Sequence, residues 1–135
     1  MAVTYLFEDK SSNVTVAYYS LLNDKITFDP DQRHFWNRLN RKIANKKRRK
    51  DYPAVKIGRL AVAEGYEGTG IGRDIIRFIK YMFAHGNRTG CRFITVDAYV
   101  EATEFYLKCG FNFVSEKDKD ERTRSMYYDL INIID

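Results

Sequence analysis

The sequence predicts a mixed α/β fold, one sheet with helices on its faces. β-branched and aromatic runs of strand length recur along the chain. Two segments carry apolar residues at helical spacing, and neither a repeat nor a linker interrupts the 135 residues. That length suits one domain, residues 1–135, with a sizeable core.

The elements follow in order. Val3 to Phe7 and Val14 to Leu22 read as an antiparallel hairpin across a polar turn, Asp9 to Asn13. Asn23-Asp24 marks another turn, with Lys25 to Phe28 a short extension. Asp29-Pro30-Asp31-Gln32 starts a helix, with Asp29 as N-cap, Pro30 at the first helical position and Gln32 closing a capping box. Phe35, Trp36, Leu39 and Ile43 then form one apolar stripe on a basic helix. Pro53 marks a break before a buried strand, Val55 to Val62.

Ile71, Ile75, Ile76, Phe78, Ile79, Met82 and Phe83 predict a helix packed on the sheet over residues 70–84, with Gly86 close to its end. Cys91 to Val96 is a strand, and Glu101 to Cys109 a short helix stopped by Gly110. Phe111 to Ser115 and Ser125 to Ile134 read as two closing strands around a charged turn, Glu116 to Arg124.

Between the buried strand and the long helix stands Tyr66-Glu-Gly-Thr-Gly-Ile-Gly-Arg73. Glycines at 68, 70 and 72 leave the backbone amides uncovered. Opening into a helix N-terminus, such a loop offers N–H donors and a positive dipole end to a phosphate or pyrophosphate. A tight strand-to-helix turn would use glycines as well. The dinucleotide fingerprint fails because Arg73 stands where its third glycine belongs, and no Gly-Lys-Ser/Thr follows to make a P-loop.

Composition excludes other classes. A hydrophobic fraction of 44% and a charged fraction of 30% are ordinary for a globular protein. No apolar run approaches membrane-spanning length, and no basic-then-apolar leader opens the chain. Cys91 and Cys109 lack metal-ligand spacing, and His34 and His85 are far apart. The expectation is a cytoplasmic protein without a metal.

The net charge of +5 is uneven. Residues 33–50 hold Arg33, Arg38, Arg41, Lys42, Lys46, Lys47, Arg48, Arg49 and Lys50, and no acid. Without those nine, 14 positive side chains face 18 negative ones, a balance of −4. A charge run of this kind is commonly a solvated helix face; it would equally make a salt-sensitive footprint on a phosphate backbone.

Gly58-Arg59-Leu60-Ala61-Val62, the loop at 67–72 and Phe105-Tyr106-Leu107-Lys108-Cys109-Gly110-Phe111 together resemble the GNAT acetyltransferases. In that family a strand leads into a pyrophosphate loop written Q/R-x-x-G-x-G/A, and a later helix carries a tyrosine before a Gly-Phe pair. The resemblance spans roughly Val3 to Ile133. It implies a single mixed, mostly antiparallel sheet with helices on both faces, and acetyl-CoA as cofactor. Leu60, Ala61 and Val62 would offer main-chain groups to the pantetheine arm. Glu67, Gly68, Thr69, Gly70, Ile71 and Gly72 would cradle the pyrophosphate, with Arg73 adding charge. Tyr106 would protonate the departing thiolate, and the Val62 amide would face the oxyanion. Read from the residues alone, Tyr106 is equally a core aromatic beside Phe105. Cys109 is read as a helix-end packing residue rather than a nucleophile.

Three departures bear on this. Glu67 stands where the family prefers Gln or Arg, weakening one contact to phosphate. Members with a glutamate base on the central strand would place it near Lys56, which cannot serve when charged, leaving Glu64 and Asp97 as candidates. The chain begins at what looks like the family's second strand, so the first strand and the helices that normally wall the acceptor site are expected to be missing. A different start codon, a truncated gene or a homodimer partner would each account for that.

Lys47-Arg48-Arg49, Pro53 and Gly58 to Val62 look like the branch of bacterial toxins that acetylate the amino acid on charged tRNA. That resemblance implies tRNA as acceptor, an RNA-binding role for Arg38, Arg41, Lys42, Lys46, Lys47, Arg48, Arg49 and Lys50, and an antitoxin as a partner. A small-molecule or protein amine is the alternative acceptor. A non-catalytic module that binds acetyl-CoA or nucleic acid is the alternative of another class.

Overall fold

The computed structural model describes residues 2–27, 29, 33–40, 51–85 and 90–132. Among these residues six strands and three α-helices succeed one another as β1 (Val3–Glu8), β2 (Thr15–Thr27), α1 (Arg33–Asn40), β3 (Asp51–Val62), α2 (Ile71–His85), β4 (Phe93–Tyr99), α3 (Thr103–Lys108), β5 (Asn112–Phe113) and β6 (Thr123–Asp129). They form one sheet in the order β1-β2-β3-β4-β6-β5. The β3–β4 pair is parallel and the other four pairs are antiparallel. No helix among the described residues is long and apolar enough to cross a membrane.

Alternation along the central strands gives each face its own core. Val55, Ile57, Ile94, Val96 and Met126 pack with Ile75, Ile76 and Ile79 of α2. Their neighbours Tyr52, Ala54, Phe93 and Tyr127 pack with Phe35, Trp36 and Leu39 of α1. The two helices therefore cover opposite faces. Phe78 is 49% exposed and lies off the buried stripe of α2 that the sequence assigned it to.

Several boundaries differ from expectation. β2 runs unbroken through Asn23-Asp24, because that pair sits opposite Val55 and Ala54 and Asp24 accepts a hydrogen bond from Thr95 Oγ1 at 2.7 Å. Pro53 lies inside β3, opposite Lys25. Its carbonyl accepts from the Arg92 amide, so its missing N–H faces the very end of the β3–β4 ladder, where no ladder bond is lost. β6 stops at Asp129 rather than continuing to residue 134; the Leu130 amide turns away to the Arg92 carbonyl and the Ile131 amide to the Asp129 carboxylate. β5 spans two residues, since the Phe111 amide is engaged in ending α3. The expected helix start at 30–32, and Ile43, Gly86 and the last three residues, lie outside the described residues.

Candidate active site

The site begins with a bulge. Ser20 pairs with Arg59 and Leu21 with Ile57, so Gly58 is one residue too many in β3. A Cβ there would lie 2.9 Å from both Leu22 Cδ2 and Ser20 Oγ, which explains the glycine. The extra residue exchanges the strand's two edges. Before it, Pro53 turns its carbonyl toward β4; beyond it, Ala63 turns its amide to Val16 of β2. By alternation Ala61 also faces β2, whereas Leu60 and Val62 present their N–H and C=O groups on the opposite edge.

That edge has no strand beside it among the described residues. The β3–β4 ladder ends at Ile57↔Val96, after which Asp97, Ala98 and Tyr99 pair with β6 and Arg59 to Val62 pair with β2. The two strands splay around a cleft of about 440 Å³ lined by Gly58, Leu60, Asp97, Tyr99 and Tyr106 among others. An extended polar chain seated there would find the backbone groups a missing strand would have used.

Where β3 ends, the glycine loop begins. Gly68 and Gly70 have φ of 76° and 89°, which L side chains rarely adopt. The first bond of α2 runs from the Asp74 amide to the Gly70 carbonyl, leaving the amides of Ile71, Gly72 and Arg73 at the open helix end. Gly72 allows α2 to approach α3, since a Cβ would meet the Phe105 ring at 3.2 Å. Thr69 turns its hydroxyl inward to the Tyr66 carbonyl. A groove of about 520 Å³ runs along this loop, walled by Val62, Glu67, Gly70, Arg73, Phe105 and Lys108 among others.

Tyr106 stands on α3 at the cleft, 6% exposed, between the rings of Phe105 and Phe111 at 5.1 and 5.4 Å. Burial pushes its phenol up to about 12, so the hydroxyl keeps its proton throughout the neutral range. The Cys109 thiol, also buried, is raised as well and stays a thiol, as suits a packing residue.

Lys56 faces the other side of the sheet, its Nζ 2.9 Å from Asp97 and 4.0 Å from Asp24. The hydrogen bond to Asp97 raises its pKa, so it remains a cation. Asp97 also accepts from Ser125 Oγ at 3.0 Å and lines both the cleft and a smaller hollow on the α1 face. Glu64 sits exposed on the turn after β3 and lines neither.

Of the basic segment, Arg33 and Arg38 are described; Arg41, Lys42, Lys46, Lys47, Arg48, Arg49 and Lys50 lie outside the described residues. The sequence reading missed the Gly58 bulge, for which a glycine inside a strand was the available signal. It also missed Lys108, and Asp9, which accepts from the Tyr66 hydroxyl at 3.4 Å across 57 residues of chain. No local pattern announces that contact.

No curated protein matches the chain by sequence. Solved structures do match its fold. A bacterial toxin superimposes with a TM-score of 0.73 at 14% identity, over 96% of this chain and 68% of that one. AtaTR bound with AcCoA gives 0.70 at 17%, over 95% and 70%. AtaT complexed with acetyl-methionyl-tRNAfMet gives 0.69 at 17%, over 93% and 69%. Residues 31–113, more than half of the chain, match the family model of the acetyltransferase (GNAT) domain, and the chain belongs to the GNAT acetyltransferase family.

Proposed function

We propose that the chain moves an acetyl group from acetyl-CoA to a primary amine, and that the favoured acceptor is the aminoacyl amine of charged tRNA. The splayed cleft carries this reading: an unpaired strand edge, an amide-lined loop and a protonated phenol lie along one path. The residues fit a pantetheine-pyrophosphate ligand, because the edge offers alternating donors and acceptors and the loop offers amides with no side chain above them.

Acetyl-CoA, when bound, supplies a thioester carbonyl open to a neutral amine. Each residue then has a modest task, since transfer from a thioester needs mainly positioning and charge stabilisation. Leu60 and Val62 hold the pantetheine arm, and the Val62 N–H is assigned to the carbonyl oxygen. Glu67, Gly68, Thr69, Gly70, Ile71 and Gly72 bound the pyrophosphate site, with Arg73 nearby. Tyr106, whose phenol keeps its proton at neutral pH, would be the general acid for the departing thiolate. The proton shed by nitrogen would pass to a base at the cleft, and the phenolate would recover its own proton from solvent. Asp97, which lines the cleft while its carboxylate is engaged by Lys56 and Ser125, is the candidate base for that proton; Lys56, held as a cation, is not.

The likeness to a structure containing acetyl-methionyl-tRNAfMet supports the tRNA reading, as does the charge of residues 33–50. An aminoacyl amine is less basic than a lysine, so it arrives neutral more readily. Cytoplasmic location, an antitoxin partner, a homodimer and a single acetyltransferase domain with 33–50 as its basic insert belong to the same proposal.

The test offers charged tRNA, uncharged tRNA, a polyamine and a peptide panel to the protein with labelled acetyl-CoA. Label on charged tRNA alone, lost on Arg48→Glu/Arg49→Glu, is the expected result. Label on a small amine or peptide would reassign the acceptor, and binding without any transfer would leave a binding module.

A further inference from the structure

The cleft is lined from both faces of the sheet, and the two sides differ. Ala17 and Tyr19 of β2, Val96 and Ala98 of β4 and Tyr106 belong to the core under α2. By alternation Tyr18 and Tyr99 stand on the opposite face. Arg59 shares that face, because it pairs with Ser20, two residues along β2 from Tyr18. Tyr18 lies on the β2–β3 lip of the splay and Tyr99 on the β4–β6 lip, and both line the cleft with Arg59.

Helix α1 leaves this mouth open. Its Phe35, Trp36 and Leu39 pack with Tyr52, Ala54 and Phe93, at the other end of β3 and β4. Tyr99 is 59% exposed although it ends a central strand, and Arg59 is exposed as well. Among the described residues, neither the two phenol groups nor the guanidinium has a hydrogen-bond or ion-pair partner. The carboxylate at this mouth, Asp97, is engaged by Lys56 at 2.9 Å and by Ser125 Oγ at 3.0 Å. Two rings and one uncompensated cation remain for a ligand.

We propose that this mouth receives the 3′-terminal nucleotide of the acylated RNA, its base on the Tyr99 ring with Tyr18 opposite, and a phosphate on Arg59. The proposal rests on the charged-tRNA reading above. In such a substrate one ester joins the amino acid to the terminal ribose, so that nucleotide must lie within one amino acid of the thioester. Unpaired bases are held by stacking on exposed aromatic rings, whichever base they carry. A guanidinium matches two phosphate oxygens in a bidentate pair. A polyamine or a lysine side chain would instead call for an unengaged carboxylate, which this mouth lacks.

The test measures kcat/KM for transfer from labelled acetyl-CoA to three acceptors carrying the same amino acid, taken in turn through the standard set. They are the charged tRNA, the aminoacylated trinucleotide CCA and the methyl ester. The trinucleotide lacks the tRNA body, so its advantage over the ester reports the terminal nucleotides alone. The wild type is expected to favour the trinucleotide by about tenfold or more, the range of one stacked base. Tyr99→Leu should lose about tenfold on the trinucleotide and on charged tRNA, mostly in KM, and Tyr99→Trp, which keeps a ring, should recover it. Arg59→Ala should lower the advantage severalfold and flatten its salt dependence. Because the Tyr99 ring is exposed, Tyr99→Leu should unfold at the wild-type temperature.

Where charged tRNA is labelled, equal use of trinucleotide and ester by the wild type, or an advantage that Tyr99→Leu retains, overturns the proposal and leaves the acceptor standing. Where the fragments bind too weakly to react, a tenfold loss on charged tRNA recovered by Tyr99→Trp supports it, and a Tyr99→Leu protein as active as the wild type overturns it. If charged tRNA takes no label while an ester or peptide does, the charged-tRNA reading itself fails, and this proposal with it.

Discussion

The Phe111 amide donates to the Tyr106 carbonyl at 3.0 Å, and the Gly110 amide donates to Leu107 at the same length. These two bonds make a Schellman ending for α3, with Gly110 at φ 91° in the left-handed position. The Gly-Phe pair of the sequence therefore fixes the helix turn that carries the cleft tyrosine. Gly110→Ala should cost about 1–2 kcal/mol for the left-handed conformation, with crowding against the Tyr128 ring 3.3 Å away adding to it. Thermal unfolding and turnover, measured together, should both decline.

Tyr106→Phe should lower turnover by about 10²-fold or more, as loss of a general acid does, with acetyl-CoA affinity nearly unchanged. Steady-state kinetics beside a binding titration separates the two; an unchanged rate removes the assigned role.

The same substitution has a pH signature. The Tyr106 phenol is raised by burial from 10.0 to about 12, so the folded state holds its proton more tightly than the unfolded one. Its contribution is complete below pH 10 and is lost as pH rises toward 12. Full ionisation would cost the folded state roughly 2–3 kcal/mol. Urea midpoints taken from pH 9 upward should fall more steeply for the wild type than for Tyr106→Phe. Tyr19, Tyr127 and Tyr128, also raised by burial, remain in both proteins and cancel.

Asp97→Asn should slow transfer by about tenfold or more if that carboxylate takes the amine's proton, whereas Glu64→Gln should change little. The pH–rate profile of Asp97→Asn distinguishes a lost base from a lost partner of Lys56, since only the former removes the acidic limb.

Arg92 joins α1 to the sheet. It donates to the Leu39 carbonyl at 2.7 Å and to Asp129 at 2.9 Å, with both side chains of the ion pair nearly buried. Arg92→Ala strands the Asp129 carboxylate and should cost about 3 kcal/mol or more, read as a lowered denaturant midpoint.

Much of the fold was legible because local chemistry and tertiary position agree. The α2 stripe, the glycine loop and the Tyr106-to-Phe111 run each do locally what their residue types prefer. The misreadings fall where a partner far along the chain overrides local preference. Asn23-Asp24 resembles a turn until Thr95 and Lys56 supply partners for Asp24 within a strand. Pro53 resembles a break until the strand ladder is seen to end beside its missing donor.

If the splay between β3 and β4 is the donor site, hydrogen exchange with and without acetyl-CoA will reveal it. Exchange should slow in peptides covering Leu60 to Val62 and residues 68–73, with β1 and β6 unchanged. Protection confined to α1 or the outer strands, or none despite measurable binding, would contradict it.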